Sequence, residues 1–566
     1  MTIKPQRHLA FALTLAAFLL LSLLFLLPAA QSVRADPGTL FASVSGAGTA
    51  CTQPAPCELQ TALGRAVNGD VLYVGAGTYA GSGDAVVTIT HNITLYGGWN
   101  GVASGVVARD PAVYRSVLDG QGQRRGVYAD AGVAFTLDGF TVQNGNANSA
   151  PSVCKGGGIL ALNAWPVITN NVITGNVACT ASGEWGYGGG IYLGWTTGSA
   201  LIEGNQVIRN TAGGPGHGAG GGITLQHADA AQVRGNIVSD NTAAINGHGY
   251  GGGVALLNSL GTDISENTVE RNRGSAGSGT DGGRGGGVYI ERSTSAVLSR
   301  NRIRHNVAGV AGFGYGGGVA AYWADELWLL DSILEGNTAA VEPGKGAEGG
   351  ALMVYSSQNA LVGGNRMLGN TANTTSGRGG AVWLRSNTSF LFANNILAKN
   401  AAAEAGGGLG MGASETEPVT GTLWHNTFAG NDAVAGFGGA AVWLNSPFIN
   451  IEMVNNLLFG HSYGIYVPSG SSAVLQGTLF YANSNSDIAG GGTVSNIGSI
   501  TGEDPLLTDS YHLSAGSPAI DAGVYCPLLG DIDGDGRPLG AGLDIGADEY
   551  TEPLHAFVPL VQKAGR

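Results

Sequence analysis

Along most of the chain apolar and polar residues alternate with period two, in short runs such as "GIYLG", "ALIEGN" and "QVIRN". Runs of that length and period predict short β-strands with one face buried. One stretch differs. "CELQTALGRAV", Cys57 to Val67, sets Leu59, Leu63 and Val67 on one face with Ala62 and Ala66 beside them, which predicts an amphipathic helix. The strand runs keep a beat. A glycine-rich lead-in returns as "GGGIL" at Gly156, "GGGIY" at Gly188, "GGGIT" at Gly220, "GGGVA" at Gly251 and "GGGVY" at Gly285. It continues as "GGGVA" at Gly316, "GGALM" at Gly349, "GGAVW" at Gly379 and "GGGLG" at Gly406, with worn copies at Gly439 and Tyr463. The steps are mostly 30 to 34 residues, with one of 27.

Asparagine keeps the same beat in two columns. One holds Asn176, Asn210, Asn241, Asn272, Asn306, Asn337, Asn370, Asn400 and Asn431. Five residues earlier lie Asn171, Asn205, Asn236, Asn267, Asn301, Asn365, Asn395 and Asn426, with Ser332 breaking the column. Self-similarity at this period is the signature of a solenoid. Three short strands, two tight turns and one Gly-rich loop fill about 31 residues, so each repeat is one coil and strands of successive coils stack ~4.8 Å apart. Asparagine tolerates positive φ in turns, and stacked amides can donate and accept between coils. Glycine permits the positive φ and close backbone approach of a coil corner. The expected fold class is therefore all-β: a parallel β-helix solenoid, three strands per coil, with an N-terminal helical cap over the otherwise open sheet edges.

The "GGAL" and "GGAV" lead-ins and the "FAGN" segment resemble the GGA(I/L/V) and FxxN repeats of polymorphic outer membrane proteins. The coil pattern resembles the right-handed parallel β-helix of the pectate-lyase-like superfamily over roughly Leu40 to Ile500, and handedness is implied by that resemblance alone. The helix followed by "GDVLYVGAGTY" and "VVTITHNITLYGGW" resembles the cap and first coils of secreted β-helices. "DPLLTDSYHLSAGSPAIDAG" with "DIDGDGRPLGAGLDIGADEY", Asp504 to Tyr550, resembles the choice-of-anchor Q domain of bacterial surface proteins. The expected organisation is a signal peptide at 1–35, cap and first coils at 36–150, Gly/Asn-rich repeats at 151–500, the anchor-like module at 501–550 and a tail at 551–566. The tail is too short for an autotransporter barrel, and no LPxTG-like sorting signal is present, so the export route of the polymorphic proteins is not carried over.

Charged residues make up only 12% of the chain, which argues against a charge-swollen disordered state. Lys4 and Arg7 precede the uncharged stretch Leu9–Leu27, and Val33 and Ala35 offer a small-residue cleavage site before Asp36. This reads as a secretory signal, with an uncleaved anchor as the alternative, and no other apolar run is long enough to span a bilayer. Net charge is −14, or −17 once Lys4, Arg7 and Arg34 are removed (−14 minus 3). Such a balance disfavours nucleic acid, and disfavours polyanions bound through net charge alone. The expectation is a secreted or cell-surface monomer whose mature chain has no transmembrane domain. Export permits disulfides, paired as Cys51–Cys57 and as Cys154–Cys179 one repeat apart, with Cys526 left over.

"DIDGDG" sets Asp531, Asp533 and Asp535 at alternate positions, the way Ca²⁺ loops begin. The twelfth position is Gly542 and offers no carboxylate, so a solvated acidic turn stands beside the Ca²⁺ reading. Two "GHG" triplets place His217 and His248 one repeat apart in a loop. A polysaccharide lyase or glycosidase needs carboxylates gathered at one angular position on neighbouring coils. Asp229, Glu291, Asp325 and Glu326 are scattered instead. Aromatics follow the glycine strand in many coils: Tyr192, Tyr289, Trp383, Trp443 and Tyr466 at an outward position, with Trp195, Tyr322, Trp323 and Tyr355 nearby. Such rings stack on sugars, anchor a partner protein, or simply stack on one another. No "GK[ST]" follows any glycine run, which removes a phosphate loop. The leading expectation is a non-catalytic scaffold recognising a polysaccharide or surface protein through Tyr192, Trp195, Tyr289, Tyr322, Trp323, Trp383 and Trp443. The alternative is a polysaccharide lyase or glycoside hydrolase.

Overall fold

The computed structural model describes residues 38–552 apart from 130, 149–152, 182, 197, 199, 215, 387 and 434–438. The signal peptide expected at 1–35 and nearly all of the tail expected at 551–566 lie outside them. The described chain winds as a parallel β-solenoid. Three sheets run its length: sheet 1 with 16 strands, sheet 2 with 14 and sheet 3 with 15. The glycine strands form sheet 2. Ile191–Gly194, for example, pairs in parallel register with Ile159–Leu162 before it and Ile223–Gln226 after it. Alternation then follows from the pleat, and inward residues such as Ile191, Leu193, Ile202 and Val207 are fully buried in one core running from Ala42 to Phe480. The helix Leu59–Arg65 packs Leu59 and Ala62 into that core. It is the sole helix among the described residues, and it is far too short to cross a membrane.

The glycine triplet has separate reasons at separate positions. Its first glycine takes φ between +60° and +68° in all nine copies. A Cβ on Gly188 would lie 2.2 Å from the Ile191 carbonyl oxygen, and one on Gly189 would lie 2.4 Å from that of Gly221 in the next coil. No larger residue fits either place.

Both asparagine columns are buried ladders. In the second, the backbone N–H and the Nδ2 of Asn241 both donate to Oδ1 of Asn272, at 3.0 Å each, and Nδ2 also donates to the Val207 carbonyl at 2.8 Å. The pattern runs unbroken from Asn176 to Asn431. Asn431 then donates to Nε2 of His461 at 3.2 Å. In the first column Ser332 accepts from the Asn301 N–H at 3.1 Å and passes on only its backbone N–H, to Asn365 Oδ1 at 3.0 Å, and Asn456 extends the column beyond Asn426. One expectation is corrected. The ladder asparagines do not adopt positive φ; the residue before each one does, as in Gly175, Arg209, Asp240 and Arg271. The asparagine is placed by its amide, and its neighbour makes the turn.

The Gly-rich excursion between sheets 3 and 2 reads as loop in the sequence. In the middle coils it forms a fourth sheet of 11 strands instead. An outgoing leg (Val177–Cys179, Thr211–Gly213, Thr242–Ala244) and a returning leg (Trp185–Tyr187, His217–Ala219, Gly249–Tyr250) merge in Arg273–Arg284 and Val307–Tyr315. The excursions stack because they too repeat at the coil period. Both disulfides are formed, Cys51–Cys57 and Cys154–Cys179, and Cys526 is unpaired and buried, which pushes its thiol up to about 11.

After Ile500–Thr501 no helix or strand follows among the described residues. The chain turns back as a strap over the outer face of sheet 3. Leu513, Ala519 and Ile545 pack on Leu457 and Leu479, while Ala547 reaches Ile396, Ala398 and Ala429. Asn455 exchanges hydrogen bonds with Val524 at 2.7 and 2.8 Å, and a fully buried Arg537–Glu549 pair at 2.6 Å ties the strap to itself.

Candidate functional site

The seven aromatics divide by burial. Tyr192 and Tyr289 are fully buried, Trp383 is 1% exposed and Tyr322 6%. They do point out of the coil, but sheet 4 and its neighbours fold over them. The Tyr192 hydroxyl donates to Gln226 Oε1 at 2.6 Å, the Tyr289 hydroxyl to Glu291 Oε2 at 3.0 Å, and burial pushes both phenols up. The Arg284 guanidinium lies over Tyr250 and Tyr322, at 5.3 and 4.6 Å. Tyr289, Tyr322 and Trp383 therefore belong to a second buried cluster in the crease between sheets 2 and 4, with Ala255 and Met353, and Tyr192 is buried beside Tyr187. Trp443 is half-buried and stacks on Tyr466 at 4.0 Å.

Exposed aromatics include Trp165, 42% exposed at the start of a sheet 1 strand, and two indoles at the corner where sheet 2 turns into sheet 1. Trp195 is 43% exposed there and Trp323 40%. They belong to one column in successive coils, Trp195, His227, Asn258, Arg292 and Trp323, each linked to the next coil through its backbone N–H. All five have φ between +47° and +54°. Positive φ is uncommon for any non-glycine residue and a marked outlier for a bulky one. Four coil steps separate the two indoles by ~19 Å. Trp195 stacks on His227 at 5.8 Å, and Lys155 of the preceding coil holds its Nζ 5.0 Å from the Trp195 ring. Arg292 holds the same relation to Trp323, at 4.9 Å. Trp195 and Trp323 thus each carry a cation from the coil before them. Burial lowers the Lys155 pKa.

The carboxylates nearby are engaged between coils. Asp229 accepts the Leu260 N–H at 2.9 Å, Asp325 the Gln358 N–H at 2.8 Å, and Glu326 the Ser295 hydroxyl at 2.6 Å. Glu291 pairs with Arg292 at 3.0 Å. Deeper in the crease Glu348 faces Arg385 at 3.2 Å, and burial pushes its carboxyl up despite that partner.

The three aspartates expected to begin a Ca²⁺ loop reach different partners. Asp531 spends Oδ1 on the N–H groups of Asp533 and Asp535 and Oδ2 on that of Glu549. Asp533 turns away to Arg366 and His512, both at 2.7 Å. Asp531, Asp533 and Asp535 do not form one group of ligating atoms within 4.8 Å. Among the described residues the one group of three metal-ligating side chains within 4.8 Å is His512, Asp533 and Asp548, and Arg366 pairs with its Asp533. The "GHG" histidines stack at 5.2 Å. Nδ1 of His217 accepts the His248 N–H at 2.8 Å, so that nitrogen carries no proton, and the pair serves as a link between coils.

Sequence reasoning misses Lys155, although its signal is legible. It occupies the position before the glycine triplet, where later coils carry Tyr187, Ala219, Tyr250, Arg284, Tyr315 and Glu348.

The family described as "Right handed beta helix region" matches residues 79–281, 216–337 and 252–458. No curated protein matches the chain. Three of the solved structures similar to it serve for comparison. Pectate lyase Pel9A shares 12% identity, covering 91% of this chain and 97% of its own, with a TM-score of 0.30. The catalytic unit of the GH87 α-1,3-glucanase from Streptomyces thermodiastaticus strain HF3-3 shares 13%, covering 84% and 72%, at 0.36. A point mutant of the periplasmic alginate epimerase AlgG shares 13%, covering 74% and 72%, at 0.34.

Proposed function

We propose that this chain, which belongs to the right-handed β-helix family, is a secreted or cell-surface scaffold that binds glycan without transforming it. One observation carries the reading: two exposed indoles on a single corner column, each beneath a cation of the preceding coil. An indole face stacks on the C–H face of a sugar ring, and the adjacent ammonium or guanidinium pairs with an acidic substituent. His227 and Asn258 lie between them and suit hydroxyl groups. In this reading residues 1–35 direct export, the helix Leu59–Arg65 caps coils of three strands plus an excursion, and residues 501–550 serve at the surface. Glu348 favours a second reading, a lyase or glycoside hydrolase, because a carboxyl raised by burial suits a general acid.

Glycan-array binding, run beside reducing-sugar and unsaturated-product release on a polysaccharide panel, separates the two. W195A and W323A are each expected to weaken glycan binding about tenfold. Unchanged binding in both variants would overturn the proposal. So would turnover that Glu348→Gln abolishes.

A further inference from the structure

The opposite corner, between sheet 3 and the outgoing leg of sheet 4, carries a second site with no part in the reading above. We infer that Arg273, with His305 and Thr242, binds an oxyanion group there. Three observations support this. The first is a cavity of about 280 Å³ lined by Asp240, Thr242, Arg271, Arg273 and His305, with the ladder residue Asn272 among its walls. The second is position. In register, the first residue of the outgoing leg is Val177, Thr211, Thr242, Arg273, Val307, Thr338, Thr371 and Ala401 in successive coils. A guanidinium replaces a small neutral residue in one coil only, and that coil opens onto the cavity.

The third is charge. Arg271 is held by Asp240 at 3.0 Å and by Glu270 at 2.6 Å, and Arg304 by Glu270 at 2.7 Å. These contacts neutralise both acids and hold their partners in place. Arg273 is exposed and forms no ion pair among the described residues. The cavity is lined by two arginines (Arg271, Arg273) and one acid (Asp240), so Arg273 leaves it an uncompensated positive charge on a chain whose net charge is −14. A guanidinium has five donors in a planar fork and matches carboxylate, sulfate or phosphate bidentately. The Thr242 hydroxyl and the His305 ring add donors at the rim.

The test is calorimetric titration of the full chain with phosphate, sulfate and acetate in turn, at constant ionic strength set with chloride. At least one of the three is expected to bind saturably, and their order ranks the preferred group. Arg273→Thr restores the residue of the neighbouring coils and so keeps the fold. It is expected to weaken the best of the three anions at least threefold, with circular dichroism unchanged. W195A and W323A are expected to bind that anion as the parent does, which separates this site from the glycan strip. No saturable binding by any of the three anions would overturn the inference, and so would Arg273→Thr binding within threefold of the parent.

Discussion

The asparagine corners and the tryptophan corner solve the same turn with different residues. Each places one residue in left-handed backbone and follows it with a buried residue that hydrogen-bonds the next coil. At the tryptophan corner that second residue is small, and where it is serine it makes a short ladder: the Ala228 N–H donates to Ser259 Oγ and the Ser259 N–H to Ser293 Oγ, both at 3.0 Å. The difference lies in the left-handed residue itself. In the asparagine corners it is often glycine, as at Gly175, Gly204, Gly235, Gly336, Gly364, Gly369 and Gly430. At the tryptophan corner it is Asn163, Trp195, His227, Asn258, Arg292, Trp323, Ser356 and Ser386, with no glycine among them. A side chain there costs about 1 kcal/mol of backbone strain that glycine avoids. Where only the turn matters, glycine relieves it. Where a large side chain persists under that cost, a neighbouring coil holds it, as Asp240 holds Arg271 and His227 and Lys155 hold Trp195; for the exposed indoles we propose glycan binding as a further use.

Three experiments probe the contrast. The largest effect belongs to the asparagine ladder. Asn272→Ala leaves the Asn241 N–H and amide without their acceptor and the Val238 carbonyl without its donor. Several orphaned buried groups cost about 3 kcal/mol or more together. A urea titration should show that loss, and a loss below about 1 kcal/mol would mean that the ladder is ornamental.

The second concerns the residues that punctuate the ladders. His425 and His461 are buried, and desolvation holds both rings down to about 3. The unfolded chain takes up those protons near pH ~6.5, whereas the folded chain does so only near 3. Between these values the unfolded state binds more protons, so the contribution falls as pH falls, by about 1.4 kcal/mol per unit for each histidine. H461N places an amide between Asn431 and Asn483. It is expected to raise the melting temperature near pH ~5 and to remove one histidine's share of the acid slope. An unchanged slope would contradict this account.

The smallest stability effect is expected at the other corner. W195G replaces the strained residue with the one the asparagine corners use, so stability should hold within about 1 kcal/mol. Glycan binding should drop nonetheless. Loss of fold in W195G would make Trp195 a structural residue and would erase the contrast.

Much of this was legible because it is local. The coil period, the two asparagine columns, the glycine corner and the strand alternation each depend on residues a few positions apart, or on a repeat that copies them. The column His227, Asn258, Arg292 and Trp323 could be aligned on the beat alone. The excursion beyond sheet 3 could not be read as strand, because glycine-rich segments carry no apolar alternation. The amino-acid pattern was thus enough for a parallel solenoid, its ladders, its disulfide partners and the residues that share a corner. Which of those residues meet solvent was left to tertiary packing. Sheet 4 buries Tyr192, Tyr289 and Trp383, while the strap carries Asp533 across 167 residues to Arg366. One cause underlies both cases. Exposure and ion pairing depend on what folds over a surface, and the alternation of a strand records which side faces the core, not what covers the other side.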